Sequence, residues 1–209
     1  MSKSLMQSPL HHFDLAKQAV KPDGRHGVWA GELPLAGYIA LRGDSATPAF
    51  VEAASSALGV PLPVTPCTLA QSGAVKVAWI SPDEWLVVCP REKLGATIAA
   101  LERALEGIRS QVVDNSGGYT QVLLTGANAS DVLAHCTVYD IAHLDPGKVV
   151  GTTFGKSATL LHRQDRGFCL IFRRSFADYL WRFMVRAATP YGFGVALRED
   201  ASAAERETA

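Results

Sequence analysis

The chain has 209 residues, 48% of them apolar and 19% charged, which suits a folded protein of one large or two small domains and excludes a disordered polymer. Twenty basic residues balance twenty acidic ones, so no global field favours nucleic acid, an anionic membrane or an acidic substrate. No apolar run reaches the roughly 18 residues of a membrane-spanning helix, and the N-terminus lacks a secretory h-region, so a cytoplasmic protein is expected.

Residues 1–35 carry the turn signals Pro22, Asp23, Gly24 and Gly27 without sustained periodicity, and read as an N-terminal extended arm. Leu10, Phe13, Val28 and Trp29 give this arm apolar groups with which to lie across a surface. His11 and His12 are adjacent, so in an extended segment they point to opposite sides and make a poor metal pair.

Regular structure begins at Tyr38–Leu41, an apolar strand ending at Arg42-Gly43-Asp44. A helix follows, with Ser45 or Thr47 at its start, Pro48 at an early position, Phe50 or Val51, Ala54 and Leu58 inside, and Gly59 as its stop. Pro61, Pro63 and Pro66 stiffen the connection to a hairpin of strands Val75–Ile80 and Trp85–Cys89. The helix Glu92–Glu106 has Leu94, Ile98, Leu101 and Leu105 on one face, and a short strand near Val112-Val113 closes a β-α-β-β-α-β unit.

The same order recurs about 83 residues later. Tyr119–Thr125 is a strand and Asn128 with Asp131 starts a helix whose inner face is Val132, Leu133 and Cys136. Thr159–Leu161 and Phe168–Phe172 form the second hairpin. The stretch from Arg173 to Trp181, RRSFADYLW, opens a helix at Ser175, with Asp178 as a capping partner and Phe176, Leu180, Phe183 or Met184, and Ala187 as its inner stripe. Tyr191–Leu197 closes the unit. The fold class is therefore α+β: two consecutive ferredoxin-like units over 36–114 and 115–198, preceded by the arm at 1–35 and followed by a polar tail at 199–209.

Reactive constellations are missing from the pattern. His135 and Cys136 are helix neighbours about 100° apart, with Cys136 on the apolar stripe. Asp83 and Glu84 belong to a hairpin turn. Cys67, Cys89, Cys136 and Cys169 form no CxxC pair and read as reduced, packed residues. Asn115-Ser116-Gly117-Gly118 joins strand to strand, as a flexible connector would, and Lys148–Lys156 lacks the Walker spacing, so neither cradles phosphate. No catalytic, cofactor-binding or metal residues are assigned. Leu10, Phe13, Trp29, Arg173 and Arg174 are the candidates for contact with a partner, the two guanidinium groups because they pair bidentately with anions.

Three segments, SPDEWLVV (81–88), DNSGGYTQVLLTGANASDVLAHC (114–136) and RRSFADYLWRF (173–183), resemble the gamma subunit family of heterotetrameric sarcosine oxidase, a likeness that spans nearly all of residues 5–195. More distantly, the duplicated unit is similar to the folate-binding glycine-cleavage T-protein. The resemblance implies a non-catalytic structural subunit with alpha, beta and delta chains as partners, in an assembly that demethylates sarcosine oxidatively to glycine and hydrogen peroxide. The methyl carbon would pass to tetrahydrofolate or leave as formaldehyde. FAD, FMN, NAD and zinc would be bound by the other chains. The alternative is a stand-alone folate-dependent aminomethyltransferase. The T-protein's catalytic carboxylate lies in a strand matched loosely to 75–80, where this chain has Lys76 and no acid. An RNA-binding ferredoxin-like module would need exposed sheet aromatics and a basic face, and neutral overall charge and the absence of an RNP-like strand count against it.

Overall fold

The computed structural model describes residues 6–21 and 24–196, so Pro22, Asp23 and the polar tail at 199–209 lie outside the described residues. In chain order, a 3-10 turn over His11–Phe13 and the single-turn helix α1 (Leu15–Gln18) precede strand β1 (Val28–Glu32). The first repeat then runs β2 (Ala36–Gly43), α2 (Pro48–Leu58), β3 (Leu69–Ser72), β4 (Val75–Ser81), β5 (Glu84–Pro90), α3 (Leu94–Ala104) and β6 (Ser110–Asp114). The second runs β7 (Tyr119–Thr125), α4 (Ala129–Cys136), β8 (Val149–Phe154), β9 (Ser157–Gln164), β10 (Gly167–Arg173), α5 (Ala177–Ala188) and β11 (Phe193–Val195). The elements β2 and β7, β5 and β10, α3 and α5, and β6 and β11 each start 83 positions apart.

The first repeat makes a five-stranded sheet in the order β3-β4-β5-β2-β6. Strands β4-β5-β2-β6 are all antiparallel neighbours, the ferredoxin-like arrangement, and β3 adds an edge strand that its polar sequence LAQS conceals. Helix α2 starts and stops as its sequence dictates: Thr47 is extended at the N-cap, Pro48 occupies the first turn, and Gly59 ends it in the left-handed region at φ 63°. Its inner face, Phe50, Ala54 and Leu58, joins Trp85, Val87 and Leu101 in one buried cluster. The Phe50 ring lies so close to Gly43 that a Cβ there would come within 2.2 Å of it.

The second repeat makes a six-stranded sheet in the order β11-β1-β7-β10-β9-β8. Here the arm does something that its lack of periodicity hides. Strand β1 inserts between the closing strand and β7, pairing parallel with β11 (Trp29 opposite Gly194) and antiparallel with β7 (Ala30 opposite Leu124). In the first repeat the corresponding β6 lies directly beside β2. Small residues permit the insertion: a Cβ on Gly31 would sit 2.1 Å from the Ala196 carbonyl oxygen, and one on Gly194 would sit 2.4 Å from the Trp29 ring. Within the predicted arm, β1 thus supplies a strand of the sheet.

Two compact units emerge, one of residues 35–119 and 144–151, the other of 1–34, 120–143 and 152–209. These bounds differ from a division at 114/115. In the first unit, Leu69 N–H donates to the Gly147 carbonyl at 2.8 Å and Val149 N–H donates to the Cys67 carbonyl at 2.9 Å, which holds 147–149 beside the entry to β3. The predicted connector 115–118 is equally fixed. Tyr38 N–H donates to Ser116 Oγ at 2.9 Å, and Asn115 N–H donates to the Tyr38 carbonyl at 2.8 Å.

Candidate functional site

Helix α5 and the segment before it gather several polar and aromatic contacts with residues 7–13. Fully regular helix begins at Ala177 after a 3-10 turn over Arg174–Phe176, and the N-cap is Phe176 without a side-chain cap bond. The expected Ser175–Asp178 cap is therefore not made. Asp178 is instead engaged by two other side chains: its carboxylate accepts from Arg182 Nε at 2.9 Å and lies 2.7 Å from His12 Nε2. Arg182 also covers the Phe13 ring, with its guanidinium carbon 4.9 Å from the centroid, and Phe13 approaches the buried Trp181 at 6.2 Å. Arg174 donates to the Gln7 carbonyl, and Glu32 accepts from Ser8 and, at 2.7 Å, from Thr120 Oγ1. These contacts strap residues 7–13 across α5.

The strap has a pH signature. Hydrogen bonds from Arg182 and then His12 hold the Asp178 carboxyl below its ordinary range. A depressed carboxylate contributes stability above its unfolded value and loses it as pH falls through the folded one. Amide protection factors in residues 7–13 should thus fall below about pH 4, where carboxylates begin to protonate, and Asp178→Asn should lower them in the same way at neutral pH. Equal protection in the variant at neutral pH would exclude this latch.

Of the five predicted partner-contact residues, the structure keeps two inside. Leu10 is 1% exposed and Trp29 is 8% exposed, so both serve the protein's own packing, Trp29 against His26 and Gly194. Phe13 and Arg174 take part in the strap, and Arg173 is exposed at the end of β10. Phe176, placed on the inner stripe by its spacing, is 43% exposed, and the buried face of α5 is Ala177, Leu180, Trp181, Met184 and Ala188. The 3-10 turn accounts for this shift, because three residues per turn rotate Phe176 off the α-helical stripe.

Reactive groups stay apart. His135 is exposed while Cys136 is buried, and burial pushes the Cys136 thiol up to about 11, which keeps it protonated. Burial likewise raises Cys89. Cys67 is exposed, contrary to the expectation of four packed cysteines, and holds φ 60°. Among the described residues no group of three or more His, Cys, Asp or Glu side chains gathers as a metal site would require.

An open concavity of about 1020 Å³ lies in the other unit between the β2 end, the start of α2 and residues 107–111. Its Asp83 carboxylate accepts from Ser81 and from Arg42, the latter at 2.6 Å, and both bonds hold it below the ordinary range. An ionised, paired carboxylate is a poor general base. On β4, Lys76 stands opposite Gln71 and Val88, and the strand VKVAWIS carries no acid. What these groups offer chemically is hydrogen bonding, charge and apolar surface for recognition.

The sequence model described as sarcosine oxidase, gamma subunit family, matches residues 42–190. No curated protein sequence matches the chain. Among solved structures, the chain is similar to heterotetrameric sarcosine oxidase from Corynebacterium sp. U-96 in complex with pyrrole 2-carboxylate, at 24% identity and TM-score 0.81, covering 90% of this chain and 97% of that one. It is also similar to glycine cleavage system aminomethyltransferase T from Bartonella henselae, at 15% identity and TM-score 0.66, covering 92% of this chain and 60% of that one. At such identities both likenesses speak for the fold.

Proposed function

The chain belongs to the sarcosine oxidase gamma subunit family, and from that premise we propose that it acts as a structural subunit that contributes surfaces and no reacting group. The family match over residues 42–190 carries this reading. Supporting it is the separation of its titratable groups: a buried protonated thiol, ion-paired carboxylates and a lysine on β4 are ill-suited to nucleophilic or general-base work. The partners are the alpha, beta and delta chains of the oxidase, and FAD, FMN, NAD and zinc reside on them. The assembly converts sarcosine to glycine and hydrogen peroxide, with the methyl carbon passed to tetrahydrofolate or released as formaldehyde.

Co-expression with the other three chains should yield a four-chain complex that oxidises sarcosine. The purified chain alone should show no flavin absorbance and no peroxide formation above buffer. Turnover by the isolated chain would refute the structural reading. A folate-dependent aminomethyl transfer reading has the T-protein-like fold in its favour and would require micromolar tetrahydrofolate binding by the isolated chain.

A further inference from the structure

Duplication provides an internal control for the solvent face of α5. Positions 176, 179 and 183 correspond to 93, 96 and 100 of the first repeat under the 83-residue offset, and the two sets share one environment: the first two positions of each are exposed and the third is half-buried. The first repeat places Lys93, Ala96 and Ala100 there, as solvent requires. The second places Phe176, Tyr179 and Phe183. The fold therefore tolerates small or charged residues at these positions, and the aromatics answer to something other than folding.

Their arrangement makes a built patch. Tyr179 and Phe183 stack at 6.0 Å with 17° between planes, and Phe183 meets the buried Phe154 edge-on at 5.9 Å. Both rings close over Gly155 in the β8–β9 turn, where a Cβ would come within 2.7 Å of the Tyr179 hydroxyl, whereas Gly73 in the β3–β4 turn of the first repeat faces open space. Phe176 and Tyr179 remain 43% and 39% exposed. Beside them stand the exposed cations Arg186, three residues beyond Phe183 on α5, and Lys156, next to Gly155, and the one carboxylate of the helix, Asp178, is already engaged by Arg182 and His12. In a chain of zero net charge this is a local positive rim about an aromatic centre. Such a combination, aromatic anchors with arginine around them, is characteristic of protein interfaces.

We propose that the α5 face bearing Phe176, Tyr179 and Phe183 is a docking surface for another subunit of the oxidase, one presenting an apolar pocket rimmed by carboxylates. This rests on the structural-subunit reading above, and charge complementarity selects the occupant. The test uses the complete complex, purified through a tag on another subunit, with native mass spectrometry reading how much of this chain is retained on dilution.

Phe176→Lys with Tyr179→Ala installs the first repeat's residues and should weaken retention about 30-fold or more, the effect of losing central anchors. Lys156→Glu with Arg186→Glu leaves the core untouched and should weaken it about 10-fold, with a smaller loss in high salt. Retention like wild type in both double variants overturns the proposal while leaving the subunit reading intact. Should the first variant misfold, as judged by its melting transition, the second decides alone. A wild-type chain absent from the complex overturns both readings. Self-association of the isolated chain that the Lys156→Glu, Arg186→Glu variant abolishes would make the occupant a second copy and overturn the assignment to another subunit.

Discussion

Replacing Trp85 by alanine is expected to cost the first-repeat unit about 3–5 kcal/mol, the range for removing a large aromatic from a closed core. Trp85 is fully buried, packs on the Phe50 ring at 5.5 Å and donates its Nε1–H to the Pro63 carbonyl at 2.6 Å. Three links therefore break together: the core loses its largest side chain, α2 loses its partner ring, and the stiff 61–66 connection loses its anchor. Trp85→Phe should recover most of the packing and still cost about 1–3 kcal/mol for the unpaired Pro63 carbonyl. Urea titration followed by amide exchange in residues 35–119 reads both. A Trp85→Phe variant as stable as wild type would show that the hydrogen bond contributes nothing.

Gly31→Ala is expected to cost about 3 kcal/mol or more, because overpacking against a backbone atom cannot be relieved by a rotamer change. The added Cβ would meet the Ala196 carbonyl oxygen at 2.1 Å, and the parallel pairing of β1 with β11 would have to open. Exchange protection should vanish first at 193–196 and the Trp29 fluorescence should shift to the red. Gly95→Ala is the opposite control. A Cβ there meets nothing within 4 Å, and an alanine at this exposed position of helix α3 should stabilise by roughly 0.5–1 kcal/mol. Equal effects of the two substitutions would show that the close approach at Gly31 is slack.

Much of the fold was legible because local signals and long-range order agree. The apolar runs of β2, β5, β7 and β10 each pack a helix-covered face, and Thr47-Pro48 and Gly59 bracket α2 by backbone chemistry alone. Strands β1, β3 and β8 were not legible. The sequence VWAGE of β1 becomes a strand only by pairing with segments more than 90 residues away, and LAQS has no apolar alternation because it sits on an edge. The α5 start was misread for a related reason. Asp178 has the spacing of a cap, but His12, distant in sequence, and Arg182, one turn ahead, compete for it and win. The exposed aromatics of α5 carried a sequence signal in the contrast of Phe176 and Tyr179 with Lys93 and Ala96, visible only once the two copies are aligned.

The strand at 28–32, held between β7 and β11, also sets an order of events during synthesis. Everything in the 35–119 portion of the first unit is available once the ribosome has passed its midpoint, whereas the second sheet must keep an edge open until the residues 193–195 are released. A polypeptide cut short before Phe193 would leave β1 as an uncovered edge of that sheet, so the strand at 193–195 decides whether this edge is paired or open to another chain.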